Sequence, residues 1–221
     1  QGIRQALKVP YPEVIEGVSY LISWQQKNEE LCEFPSDYES REDVKIVITK
    51  GRGLSKNRNI ALSHATGDLL VFSDDDTSYK PEYFERIKGA FSANPQADII
   101  TFQAVDESFN KIKQYATSSF LYEHTPRGFY YSSWEIVVKN KPNLPHFDER
   151  FGLGSKQLAC GEEEVFLHTA HLQGLHIIYC PQIIVQTQGA TTGTQFNTSY
   201  RVRRSKGAVL YVMHGYLSAV L

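Results

Sequence analysis

A short apolar run, Asp68-Leu69-Leu70-Val71-Phe72, gives way directly to Ser73-Asp74-Asp75-Asp76. A run of that length without alternation reads as a strand covered on both faces. The chain must leave the sheet where the carboxylates begin, so they are expected at the C-terminal end of a buried strand. Like charges crowded there cost free energy unless a cation or hydrogen-bond donors compensate. Mg²⁺ or Mn²⁺ is the natural compensation, because such ions take one or two carboxylates and complete their shell with phosphate and water. The other reading is a solvated acidic turn in which Asp76 caps the following helix.

The surrounding segments supply the sheet. Residues 17–23 and 44–48 read as strands, and 55–65 as a helix with Ser55 as its N-cap and Gly67 as its stop. Pro81 suits the first turn of a helix whose inner face includes Phe84, Ile87 and Phe91, and residues 97–102 form another strand. This alternation predicts an α/β fold with a mostly parallel sheet flanked by helices, which binds ligands beyond the carboxyl ends of its strands. Farther on, 162–172 reads as a helix, 176–179 and 183–185 as short strands, 189–198 as a loop rich in Gly and Thr, and 200–221 as a basic-then-apolar helix.

At 221 residues with 41% hydrophobic content, one globular domain is expected. The 23 basic and 25 acidic residues are mixed along the chain, which gives no basic face for nucleic acid. Cys32, Cys160 and Cys180 form no CxxC pair and read as free thiols. No stretch approaches the ~20 apolar residues needed to span a bilayer, so the chain reads as cytoplasmic.

One helix and one strand before the aspartates lies Gly51-Arg52-Gly53-Leu54-Ser55-Lys56-Asn57-Arg58-Asn59. Its glycines, helix N-terminal N–H groups and cations Arg52, Lys56 and Arg58 suit an anionic diphosphate. Further motifs follow: Ala65-Thr66-Gly67-Asp68, Phe72-Ser73-Asp74-Asp75-Asp76, Phe147 to Gly154, and Gly161-Glu162-Glu163-Glu164-Val165-Phe166-Leu167. In that order they resemble the family 2 glycosyltransferases, which have the GT-A fold, and in particular bacterial members that build capsular or other surface polysaccharides.

The resemblance implies an inverting, metal-dependent transfer from a nucleotide-diphosphate sugar to a carbohydrate or lipid-linked carbohydrate acceptor, with Mn²⁺ or Mg²⁺ as cofactor. Asp74-Asp75-Asp76 falls on the DxD motif. Asp76 becomes the direct metal ligand, Asp74 lies near the ribose or in the metal's water shell, and Asp75 is a donor contact beside Arg52, Lys56 and Arg58. Glu163 falls on the catalytic base, and Glu162 and Gly154 on the acceptor side. Displacement at an anomeric carbon needs both a base for the incoming hydroxyl and charge stabilisation for the departing diphosphate. Taken as one GT-A-like domain, 1–105 is the donor half, 106–199 the acceptor half and 200–221 a C-terminal helix.

Family members usually open with a strand ending in a Pro-x-Tyr-like segment, and the numbered chain is expected to lack it, with Gln1 to Lys8 part of the next helix. A histidine often follows the late strand as a metal ligand. Gln186-Thr187-Gln188-Gly189 stands there, leaving Thr187 or Gln188. Ser23, Trp24 and Gln25 occupy the usual place of a base-reading acid. Phe151 offers a stacking face for sugar or simply belongs to a turn, and Ser133-Trp134-Glu135-Ile136 reads as a capped helix. The basic start of 200–221 either rims a helix packed on its own domain or meets an anionic membrane surface. Two other functions share these features: a nucleotidyltransferase that makes nucleotide sugars, and a non-catalytic carbohydrate-binding domain.

Overall fold

The computed structural model describes residues 13–26, 40–188 and 197–215. In chain order the elements are β1 (Tyr20–Gln26), β2 (Val44–Lys50), α1 (Leu54–His64), β3 (Leu69–Val71), β4 (Thr77–Ser78), α2 (Pro81–Ala93), β5 (Ile99–Val105), β6 (Phe120–Leu121), β7 (Ile136–Lys139), α3 (Glu162–Leu172), β8 (Ile177–Thr187) and α4 (Tyr200–His214). They divide into two compact units. The first comprises Gln1–Gly67, His146–Glu162 and Gln195–Leu221, and the second Asp68–Pro145 and Glu163–Thr194.

In the first unit β1 and β2 pair in parallel, from Tyr20 opposite Val44 to Gln26 opposite Lys50. Hydrogen bonds between β1 and α1 then hold the start of the helix: Asn57 Nδ2 donates to the Ser23 carbonyl at 2.9 Å and Gln25 Nε2 to the Gly53 carbonyl at 3.0 Å. The helix is capped by Gly53 and not by Ser55, and it stops at Ala65, short of Gly67. Ser55 is buried in the first turn, where its hydroxyl donates to the Phe151 carbonyl at 2.7 Å, a bond that removes it from capping.

Residues 146–162 lie along α1 in the same unit. The Asn59 amide donates to the Phe147 carbonyl at 2.9 Å and accepts from its N–H at 2.7 Å. The helix α4 buries Val202, Ser205 and Val209, and the Ser205 hydroxyl accepts from Ala159 N–H at 2.7 Å. Gly161 has φ +100°, and a Cβ there would stand 2.3 Å from Val209 Cγ2, so only glycine allows this approach. The inner face of α4 is therefore spent on its own unit. Residues 1–8, 189–196 and 216–221 of the expected elements, and Cys32, lie outside the described residues.

The second unit is built on a mixed sheet in the order β3-β7-β5-β8-β4, with β6 also on β8. The β5–β8 pair is parallel, and β3–β7, β5–β7, β4–β8 and β6–β8 are antiparallel. The strand β7 corrects a sequence expectation. Ser133-Trp134-Glu135 makes a single 3-10 turn and no longer helix, and Ile136, Val137 and Val138 run on as a fully buried strand between β3 and β5. A β-branched triplet fits that pleated, two-sided environment better than a helix.

The two late strands are likewise one, β8, interrupted at Pro181. Thr101 pairs with Tyr179 and Gln103 with Ile183, so the extra residues form an irregularity that excuses proline from the ladder. Ile87 and Phe91 of α2 pack with Phe102, Val137, Ile184 and Val185 in the core. Among the described residues Cys160 and Cys180 form no disulfide, and no helix is long and apolar enough to cross a membrane.

Candidate functional site

The acidic turn begins where β3 ends. Phe72 is buried edge-on against Phe166 at 5.8 Å, which anchors the strand before the chain turns outward. Thr77 closes the turn by donating from its hydroxyl to the Asp74 carbonyl at 2.8 Å, and Ser73 Oγ lies 2.8 Å from the same hydroxyl. Thr77 and Ser78 then pair with Thr187 and Gln186 of β8. The N-cap of α2 is Lys80, so Asp76 caps no helix.

Within the turn Asp75 is exposed, while Asp74 and Asp76 are half-buried. The buried oxygen Asp76 Oδ1 has no hydrogen-bond partner among the described residues. Burial raises the Asp76 carboxyl above its ordinary range, and the charges of Asp74 and Asp75 raise it further. The Gln188 N–H donates to the Asp76 carbonyl at 3.2 Å, which places the end of β8 beside this aspartate. The Gln188 side chain is engaged elsewhere, donating to Glu107 at 2.5 Å.

Ser133 reaches the turn from the other side, its hydroxyl donating to Asp74 Oδ2 at 3.4 Å. That serine is carried by the 3-10 turn, whose last residue, Glu135, is buried. Glu135 accepts from Lys113 Nζ at 2.6 Å, from the Tyr115 hydroxyl at 2.5 Å and from Ser132 N–H at 3.2 Å. Burial raises its carboxyl, and Lys113 and Tyr115 oppose the shift. Lys113 also donates to the Tyr130 carbonyl and lies 4.3 Å from the centroid of that ring. The sequence carried no signal for this centre, because Lys113 and Glu135 are 22 residues apart in an irregular stretch.

A divalent ion fits the acidic turn. No group of three His, Cys, Asp or Glu side chains able to hold a metal occurs among the described residues. An Mg²⁺-like ion does not require one, since one or two carboxylates suffice when phosphate and water fill the shell. The unpartnered Asp76 oxygen and its raised carboxyl are what a cation would relieve.

In the first unit, Arg58 and Glu162, expected on the donor and acceptor sides, form a buried ion pair at 3.4 Å with side chains 8% and 6% exposed. The Arg58 guanidinium also stands 5.4 Å from the Phe147 ring centroid. Phe151 is buried and offers no stacking face, so the turn reading holds for it. Gly152, at φ +101°, lets that turn close on Ser55 and Glu162, since a Cβ would sit 2.9 Å from Ser55 Oγ. Glu163 is the second residue of α3 and is half-buried in the second unit.

Arg52 and Lys56 line a pocket of about 600 Å³ together with Gly154, Arg150, Lys156 and Glu149. Two of the three expected donor cations and the expected acceptor glycine thus share one cavity of the first unit. Lys156 was not anticipated; a lone lysine in a loop gives no sequence signal.

No curated protein matches the chain in sequence. In structure it is similar to residues 1–349 of S. aureus TarS, with 18% identity over 98% of this chain and 66% of that one and a TM-score of 0.59. The complex of TarS 1–349 with UDP-GlcNAc aligns at 17% identity over 83% of this chain and 58% of that one, with a TM-score of 0.57. Full TarS aligns at 18% identity over 94% and 36%, with a TM-score of 0.61. The chain spans between about one third and two thirds of the length of these proteins, and the likeness establishes a GT-A α/β fold. The family model for glycosyl transferase family 2 matches residues 25–150, more than half of the chain and the part that holds the basic loop and the acidic turn, and the chain belongs to that family.

Proposed function

We propose that the chain transfers a sugar, with inversion, from a nucleotide-diphosphate sugar to an acceptor hydroxyl in the synthesis of a bacterial surface polysaccharide. The observation that carries this reading is Asp76: a carboxylate oxygen buried without a partner, at a strand end, in a family 2 glycosyltransferase. The UDP-GlcNAc complex of the structurally similar TarS supports a nucleotide sugar as donor.

Asp76 and Asp74 would hold Mn²⁺ or Mg²⁺, which supplies positive charge to the diphosphate as it departs. Ser133 keeps Asp74 oriented, and Asp75, exposed beside them, is free to meet the donor from solvent. Glu163 takes the proton from the acceptor hydroxyl as its oxygen bonds to the anomeric carbon and the bond from that carbon to the diphosphate oxygen breaks. Arg58 holds Glu162 and so fixes the start of α3. Arg52 and Lys56 offer cations to an anionic group of a substrate. The exposed side of α4, with Arg204, Leu210 and Tyr211, is the surface that would meet an anionic membrane face near a lipid-linked acceptor.

The test is transfer or hydrolysis of UDP-GlcNAc by purified Glu163→Gln, with UDP·Mn²⁺ binding followed by calorimetry. Turnover should fall by roughly 10²–10⁴ while nucleotide binding persists. Unchanged turnover in this variant would remove Glu163 as the base. A wild-type chain that does not bind UDP·Mn²⁺ would favour the non-catalytic carbohydrate-binding reading.

A further inference from the structure

The pocket of the first unit has an imbalance of charge. Arg150 and Asp148 neutralise each other, with Arg150 Nε donating to Asp148 at 2.9 Å, and the arginine holds the Asp148 carboxyl below its ordinary range. Arg52, Lys56 and Lys156 then remain against the single carboxylate of Glu149, and none of the three has an ion-pair or hydrogen-bond partner among the described residues. Among the described residues Glu149 itself accepts only a long bond, 3.5 Å, from Asn59 Nδ2.

The cations stand on a fixed floor. Leu54 N–H donates to the Leu153 carbonyl at 2.9 Å, which ties the start of α1 to the loop 151–155. Gly53 and Gly154 lie so close that a Cβ on Gly154 would be 3.3 Å from Gly53 N. Ser55 to Phe151 adds a buried tie beneath them. The backbone beneath the cations is thus already fixed, so an arriving anion has only their side chains to order.

We infer that this pocket binds a phosphate group carried by the acceptor glycan, with Arg52, Lys56 and Lys156 as its cationic contacts. The inference rests on the transferase reading above. An acceptor is favoured over the donor because the proposed function already gives a donor diphosphate its counter-charge at Asp76, a residue of the second unit, whereas this pocket is lined by residues of the first. A cavity of about 600 Å³ suits a sugar phosphate, since small-molecule pockets run from roughly 300 to 1,000 Å³.

Calorimetry on the full chain tests this with three probes: glucose 1-phosphate, glucose, and UDP with Mn²⁺. Glucose 1-phosphate should bind with an affinity that falls as salt rises, and glucose should not bind measurably. Lys156→Glu should weaken glucose 1-phosphate roughly tenfold or more and leave UDP·Mn²⁺ within about twofold, with Lys156→Ala intermediate. Absence of glucose 1-phosphate binding to the wild type, or no effect of Lys156→Glu on it, overturns the inference. Parallel loss of UDP·Mn²⁺ in Lys156→Glu also overturns it and assigns the pocket to the donor. Failure of the wild type to bind UDP·Mn²⁺ counts instead against the transferase reading, whatever the sugar phosphate does.

Discussion

Two carboxylate regions of the second unit have opposite character. Glu135 is 1% exposed, yet Lys113, Tyr115 and Ser132 answer both of its oxygens. The turn at Asp74-Asp75-Asp76 is more open, yet Asp76 keeps a buried oxygen with no partner and two like charges beside it. Burial alone therefore does not distinguish a working carboxylate from a structural one. The distinction is whether the protein itself supplies the compensation. Glu135 is answered from within and secures the turn that carries Ser133, whereas Asp76 is not answered from within, which is the opening the proposed cation would fill.

That contrast is most exposed to Lys113→Met, which leaves Glu135 buried without its cation. Unfolding in urea should show a loss of about 3–5 kcal/mol, and Lys113→Met combined with Glu135→Gln should recover most of it, because the cost lies in the orphaned charge. A loss below 1 kcal/mol would put Glu135 in the same class as Asp76.

Asp76→Asn should do the reverse. Transfer should fall by roughly 10²–10³, the scale of removing one preorganised electrostatic contact, while the melting temperature of the metal-free protein stays level or rises. Removing a carboxylate whose charged form the fold disfavours relieves repulsion with Asp74 and Asp75. A drop in both activity and melting temperature would mark Asp76 as structural.

The smallest effect is expected at Asp98, a second carboxylate answered from within. Burial works against its charged form, but Lys141 and the His176 N–H, at 2.9 Å, outweigh it and hold the carboxyl below 3.8. Its contribution to stability is fully present above that value and fades as pH falls through the lowered native one. The stability gap between wild type and Asp98→Asn should accordingly be constant near neutral pH and shrink as pH drops below about 4, read from urea midpoints across that range. A gap that widens on acidification would contradict this sign.

The turn chemistry and the segment order were legible in the residues. An apolar run ending in aspartates can hardly be anything but a strand leaving a sheet, and Pro81 begins α2 as its fixed φ requires. Less legible was everything decided by a partner distant in sequence. Ser55 looks like a cap until the Phe151 carbonyl, 96 residues away, takes its hydroxyl. Residues 136–139 are too short to declare a strand by periodicity, and only β3 and β5 on either side make them one.

The candidate site divides the same way. The sequence by itself determined the family, the acidic turn at a strand end, and the acids at the start of α3, because local pattern and motif order are carried by neighbouring residues. Only the tertiary structure decided that Arg58 belongs to Glu162, that Phe151 is buried, that Lys113 answers Glu135, and that Arg52, Lys56 and Lys156 share a pocket. Charge pairing depends on distance in space, and one chain of letters does not record which cation reaches which carboxylate.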